Sequence, residues 1–285
     1  MIYKIIKTGK KMRLISFLTL LIVNISVASA SPILFIDDDE GLSGESSWFS
    51  SMTNLGYTFD VETLGLDGNP LANLAQYSAV IWSVGDRGYN NLTAQNVQAM
   101  KTYLDQGGSL LYSGGMSLFY EPQANALATD YFGLSSYHAN LSIFGETSMN
   151  GTGGSVVGSR IYSVSPWVGG EYGIFMSGFN TGSAQSMFLN PSWSTGGPYS
   201  SAVNVRDNFS AMVWGFDLNH LSFQDEREEL LGASLSFLSP TAYDQSQEEI
   251  AAEESGDTTI AEPAPLALIG LGLFGMFFMR KRRFQ

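Results

Sequence analysis

Pro32-Ile33-Leu34-Phe35-Ile36-Asp37-Asp38-Asp39 is an unbroken apolar run that stops in three carboxylates. A strand with one wet face alternates apolar and polar residues. A run without alternation belongs to a strand covered on both faces, the habit of parallel sheets. Ala79-Val80-Ile81-Trp82-Ser83 and Ser109-Leu110-Leu111-Tyr112 have the same character, as does the core stretch within 209–216. Between these runs the period changes. Trp48, Phe49, Met52 and Leu55 have helical spacing over 46–55, before Gly56. Val97, Met100, Tyr103 and Leu104 have it over 94–106, after Thr93 as N-cap and before Gly107-Gly108. Residues 57–64 alternate and read as a strand.

Strands and helices following one another through short loops predict right-handed crossovers. The expected fold class is α/β, a doubly wound, mostly parallel sheet over 32–239. A further helix is expected at 125–132 and a closing amphipathic helix at 224–238. Residues 133–208 differ, being rich in Gly, Ser, Asn and aromatics with short alternating stretches. They predict a β-rich insertion with hairpins near Gly153-Gly154 and Gly169-Gly170. Residues 240–262 are acidic and polar and predict a disordered tether.

The two ends carry targeting signals. Lys4, Lys7, Lys10, Lys11 and Arg13 precede a short apolar stretch that ends in Ala28-Ser29-Ala30. This order is that of a secretory signal peptide, residues 1–30. At the other end, Glu262-Pro263 leads into the apolar run 264–279 and then Arg280-Lys281-Arg282-Arg283. That run is short for a bilayer, but terminal basic side chains extend its reach and hold the end on the cytoplasmic side. All 27 acidic residues lie between the two ends, against five basic ones, a formal charge of −22. Such a surface excludes nucleic acid as a partner. The chain has no cysteine and two histidines, His138 and His220. It therefore has no thiolate nucleophile, no thiolate metal site and no disulfide.

The C-terminal order resembles the PEP-CTERM sorting signal of Gram-negative bacteria, a Pro-Glu-Pro motif, a Leu/Gly-rich helix and an Arg-rich tail. The matching residues are Glu262, Pro263, the Leu/Gly-rich stretch 266–275, Arg280, Lys281, Arg282 and Arg283. Ala261 stands where the first proline would be. The resemblance implies a transmembrane segment over 263–285 and handling by an exosortase-type transpeptidase, after the secretion machinery and signal peptidase have acted. It implies a domain on the periplasmic side of the inner membrane, passed on to the cell surface or extracellular matrix, with extracellular polysaccharide as a partner. The body, through Ile33–Asp39, 74–82, 104–114, Trp214-Gly215-Phe216-Asp217 and 227–238, resembles exported domains of the class I glutamine amidotransferase-like, flavodoxin-like fold.

In that family the nucleophile is a cysteine on a strained turn after a central strand. The corresponding turn here is Ser113-Gly114-Gly115-Met116-Ser117. Ser113 or Ser117 would need His138 or His220 as a base, and no Gly-x-Ser-x-Gly elbow is present. No cofactor is expected apart from Ca2+, for which Asp37, Asp39 and Asp86 at strand ends offer oxygen ligands. Adjacent strand residues face opposite ways, so Asp38 cannot join Asp37 and Asp39 around one ion. The leading expectation is a non-enzymatic exported envelope or matrix protein with a binding or structural role. The alternatives are a hydrolase acting on polysaccharide or peptide at the carboxyl end of the sheet, and a calcium-dependent adhesin.

Overall fold

The computed structural model describes residues 32–39, 44–65, 68–85, 92–114, 118, 124–142, 148–164, 175–190, 199–200 and 202–254. The signal peptide, Asp86, Ser117, the Gly169-Gly170 hairpin, the end of the tether and the whole sorting segment lie outside these residues. Among the described residues no helix is long and apolar enough to cross a membrane.

The opening run forms β1 (Ile33–Asp37), buried along its whole length. The next three strands are β2 (Phe59–Thr63), β3 (Ala79–Ser83) and β4 (Ser109–Ser113). The second half of the chain supplies β5 (Leu134–Ser142), β6 (Ser148–Gly151), β7 (Ile161–Ser163), β8 (Phe175–Thr181), β9 (Gln185–Ser186) and β10 (Phe188–Asn190). β11 (Tyr199–Ser200), β12 (Ala202–Arg206) and β13 (Ser210–Trp214) complete the set. The main sheet has the order β2-β1-β3-β4-β13-β12-β9. Its first five strands pair parallel, and β12 and β9 add an antiparallel edge. The parallel part, read in chain order, is 2-1-3-4-5, the flavodoxin-type winding whose switch point lies between β1 and β3.

Helices cover both faces. α1 (Glu45–Asn54) and α3 (Gln224–Leu238) lie on one face, where Trp48, Met52, Leu230, Leu231 and Leu235 join Ile33 and Phe35 in one core. α2 (Ala94–Asp105) lies on the other, where Val97, Met100 and Leu104 join Leu34 and Ile36. The alternate residues of β1 thus enter two separate cores, which is why the run has no polar phase. Thr93 caps α2 as expected, accepting from the Asn96 N–H at 3.0 Å.

Two expectations are corrected. Residues 133–208 do not form one separate insertion. Six strands make a second, antiparallel sheet of order β5-β8-β11-β10-β6-β7, but β9 and β12 belong to the main sheet. Full-length pairing with β13 draws β12 in, from Ala202↔Trp214 to Arg206↔Ser210. The tether is not structureless over 240–254. Those residues form α4 (Pro240–Glu254), with Pro240 at the helix start, where its missing N–H costs nothing. Ala242 and Ser246 are buried, and Tyr243 packs on the core shared with α1 and α3.

Candidate functional site at the carboxyl end of the sheet

The carboxyl ends of β1, β3 and β4 are in register, Asp37 beside Ser83 and Ser83 beside Ser113. Their side chains share the α1 face of the sheet, because Leu34 and Ile36, Trp82 and Tyr112 all enter the opposite core. Asp217 joins them from the loop after β13. It is fully buried. Its Oδ2 accepts from Trp48 Nε1 and from Ser83 Oγ, both at 3.1 Å. Its Oδ1 accepts from the Asn219 N–H at 2.9 Å, capping the 3-10 turn Leu218–His220. Arg227 on α3 donates to Leu221 O at 2.7 Å and clamps the end of that turn. Partial burial pulls the Arg227 pKa down, and the Asp217 carboxylate opposes this.

Asp37 and Asp39 lie two residues apart, and Asp37 Oδ1 accepts from the Asp39 N–H at 3.1 Å. Both are buried, and one carboxylate oxygen from each lies within 4.8 Å of the other and of a Glu45 oxygen. Asp38 faces the other way, as strand geometry requires, and accepts from Trp82 Nε1 at 2.8 Å. Burial, with Asp37 and Asp39 adding repulsion, pushes its carboxyl up to about 7 against the pull of the Trp82 and Asn96 side chains. Asn96 is fully buried, and neither side-chain atom reaches a partner at full hydrogen-bond geometry.

The other sequence candidates are placed as follows. Ser113 is fully buried, and its Oγ donates to Phe216 O at 2.8 Å. A carbonyl can only accept, so the Ser113 proton is committed there rather than to a base. His220 is buried, and its Nδ1 accepts from the Asp217 N–H at 3.3 Å. His138 lies in β5 opposite Gly178, in the second sheet. Asp86 and Ser117 are outside the described residues. Sequence reasoning passed over Asp217, Glu45 and Asn219. Asp217 carries a usable signal, since it comes shortly after an apolar strand as Asp39 does.

No family model matches the chain, and no curated protein matches it. Solved structures do resemble it. The carbohydrate deacetylase Agd3 is 16% identical with a TM-score of 0.49, over 74% of this chain and 32% of that one. The chain thus spans about a third of that protein's length. A thua-like protein from Bacteroides uniformis is 9% identical with a TM-score of 0.47, over 74% and 93%. A glutamine amido transferase from Methylobacillus Flagellatus is 12% identical with a TM-score of 0.44, over 67% and 71%. The strand order of the main sheet identifies the flavodoxin-type winding independently of these likenesses.

Proposed function

We propose that the chain is an exported, non-catalytic binding domain of flavodoxin-type fold, delivered to the envelope by its C-terminal segment and presenting the carboxyl end of the main sheet to its ligand. The observation that supports the binding role best is at Ser113. Where an amidotransferase-type enzyme needs a nucleophile aimed outward from a strained turn, this chain has a buried hydroxyl that donates to the Phe216 carbonyl. The two chain ends support the export route, through their basic, apolar and small-residue order.

Mass spectrometry of the native protein tests delivery. A new C-terminus near Glu262-Pro263 is the outcome of sorting, and an intact Arg280–Arg283 end is that of a simple anchor. Loss of neither the signal peptide nor the tail, with the protein recovered from the cytoplasm, would end the export reading. The role is tested by replacing Ser113, Ser117, His138 and His220 together with alanine. Binding to envelope polysaccharide is expected to persist in this variant where it still folds, and a hydrolytic activity of the wild type lost in the folded variant would overturn the non-catalytic reading.

A hydrolase acting on polysaccharide or peptide is the second reading, and one observation favours it. Burial pushes the Asp38 carboxyl up to about 7, and the residue follows β1 at the switch point of the sheet, where doubly wound folds bind ligands. Hydrolysis by the wild type that disappears in Asp38→Asn would replace the first reading with this one.

A further inference from the structure

We infer that the groove between α2 and the segment 70–75 is a second binding site, one that takes a single neutral sugar ring. It lies apart from the carboxyl edge of the sheet. The inference stands or falls separately from export and from whatever that edge binds.

The groove has a volume of about 270 Å3. It lies toward the amino ends of β3 and β4, since the turn Leu74–Gln76 leads into β3 and Gln106 closes α2 just before β4. Its outer wall is a strap of chain pinned at three points. Asn69 Oδ1 accepts from Thr93 Oγ1, at the start of α2, at 3.2 Å. Glu62 on β2 accepts from the Ala72 N–H at 3.1 Å. Tyr103 on α2 donates its hydroxyl proton to Tyr77 O at 3.2 Å. Between these pins the facing side chains are small. Ala72 and Ala75 on the strap and Ala99 on the helix line the gap without filling it. A cleft held open by its own hydrogen bonds needs little reordering to take a ligand.

The charge of the lining is the independent observation. The body of the chain carries −22, yet no residue that lines the groove is charged. Its polar side chains are Asn73, Gln98, Thr102 and Gln106. The last three recur at i, i+4 and i+8, as one exposed stripe of α2. Gln98 Nε2 donates to Thr102 Oγ1 at 3.2 Å, and Asn73 Oδ1 accepts from the Ala75 N–H at 3.3 Å. These bonds orient two of the amides and leave Asn73 Nδ2, Gln98 Oε1 and the Gln106 amide for a ligand. An amide offers a donor and an acceptor side by side, the complement of neighbouring hydroxyls that each donate and accept. The three alanine methyls suit the C–H face of a sugar ring. An anion would meet no cation here and an acidic body around it, and a cation would meet no carboxylate in the groove. A purely apolar ligand would leave the amides desolvated and unpaired. Clefts for drug-sized ligands run from about 300 to 1,000 Å3, so this smaller one fits one ring rather than a chain.

Saturation-transfer NMR on the full-length chain, in a detergent without a sugar headgroup, tests the site. The probes are the methyl glycosides of glucose, galactose and mannose, with glucuronate as the charged control. At least one neutral probe is expected to bind with a roughly millimolar Kd, the range open to so small a ligand. Glucuronate should bind about tenfold more weakly or not at all, repelled by the acidic body. Ala99→Phe fills the groove and should abolish binding. Gln106 is exposed, so Gln106→Ala is expected to fold even where Ala99→Phe does not, and it should weaken the neutral probe severalfold. Gln76→Ala, exposed in the neighbouring turn and outside the lining, should leave binding unchanged. The absence of transfer to all three neutral probes would overturn the site. So would glucuronate binding as tightly as they do, or equal affinity in wild type and Gln106→Ala.

Discussion

The indole N–H of Trp48, on α1, donates to the carboxylate of Asp217, which follows β13, at 3.1 Å and across 169 residues of chain. Both residues are completely buried. The Trp48 ring also stacks on Trp214 at 5.5 Å, and Trp214 stacks on Phe216 at 5.5 Å. One side chain therefore ties the first crossover helix to the last parallel strand. Trp48→Phe is expected to lower unfolding stability by about 2–4 kcal/mol, from the lost ring volume and the lost donor to a buried carboxylate. Urea denaturation measures it. In a double-mutant cycle with Asp217→Ala, which removes the acceptor, a coupling of about 1 kcal/mol or more is expected, and zero coupling would mean that the hydrogen bond contributes nothing.

Asp38 sets a pH dependence of definite sign. Its folded pKa, about 7, lies above the ordinary carboxylate value. Between roughly pH 4 and 7 the folded state holds a proton that the unfolded chain has released, so this group's contribution is full at low pH and is lost as pH rises to about 7. A shift of this size corresponds to roughly 4 kcal/mol across the window. Asp38→Asn keeps an acceptor for Trp82 Nε1 and should flatten that part of the profile, leaving the variant more stable than wild type at pH 8. Thermal melts from pH 4 to 8 check this, and parallel profiles for the two proteins would contradict it.

Gly114 directly follows β4 with φ 150, and an added Cβ would lie 2.0 Å from Cγ2 of the fully buried Val84. Gly114→Ala is expected to cost about 2–4 kcal/mol, from an unfavourable φ and a clash in a closed core. A change in melting temperature within experimental error would show that the β3 and β4 ends yield more easily than their packing indicates.

α4 buries Ala242 and Ser246 and lays Tyr243 on the core, so it is part of the domain. A chain ending at Ser239 should be less stable than one ending at Glu254 by about 2 kcal/mol, at about 25 cal/mol per Å² of apolar surface re-exposed. Equal melting temperatures for the two chains would return 240–254 to the status of a spacer.

The corrected elements show why the fold was only partly legible. Ala202-Val203-Asn204-Val205-Arg206 reads as a strand, yet nothing in its own pattern selects the main sheet over the second one. Pairing with β13 makes that choice. α4 is mostly polar, and its inward face is a thin stripe of Ala242, the small Ser246 and Ile250 at i, i+4 and i+8, with Tyr243 beside it. The stripe was visible but narrow, and the Gln/Glu-rich composition around it outweighed it. At the site, Asp37 and Asp39 were found because strand alternation is local. Glu45 was not, because its nearness to the aspartates comes from the return of α1 to the same edge.

By itself the sequence determined a parallel sheet with a polar carboxyl edge. Unbroken apolar runs can be buried only on two faces, and period-two alternation sends Asp38 away from Asp37 and Asp39 wherever the strand sits. Only the tertiary structure decided what that edge holds. Asp217 meets Trp48 and Ser83, and Ser113 spends its proton on Phe216, across separations of 103 to 169 residues. Contacts at that range follow from strand order and register, which no local period encodes.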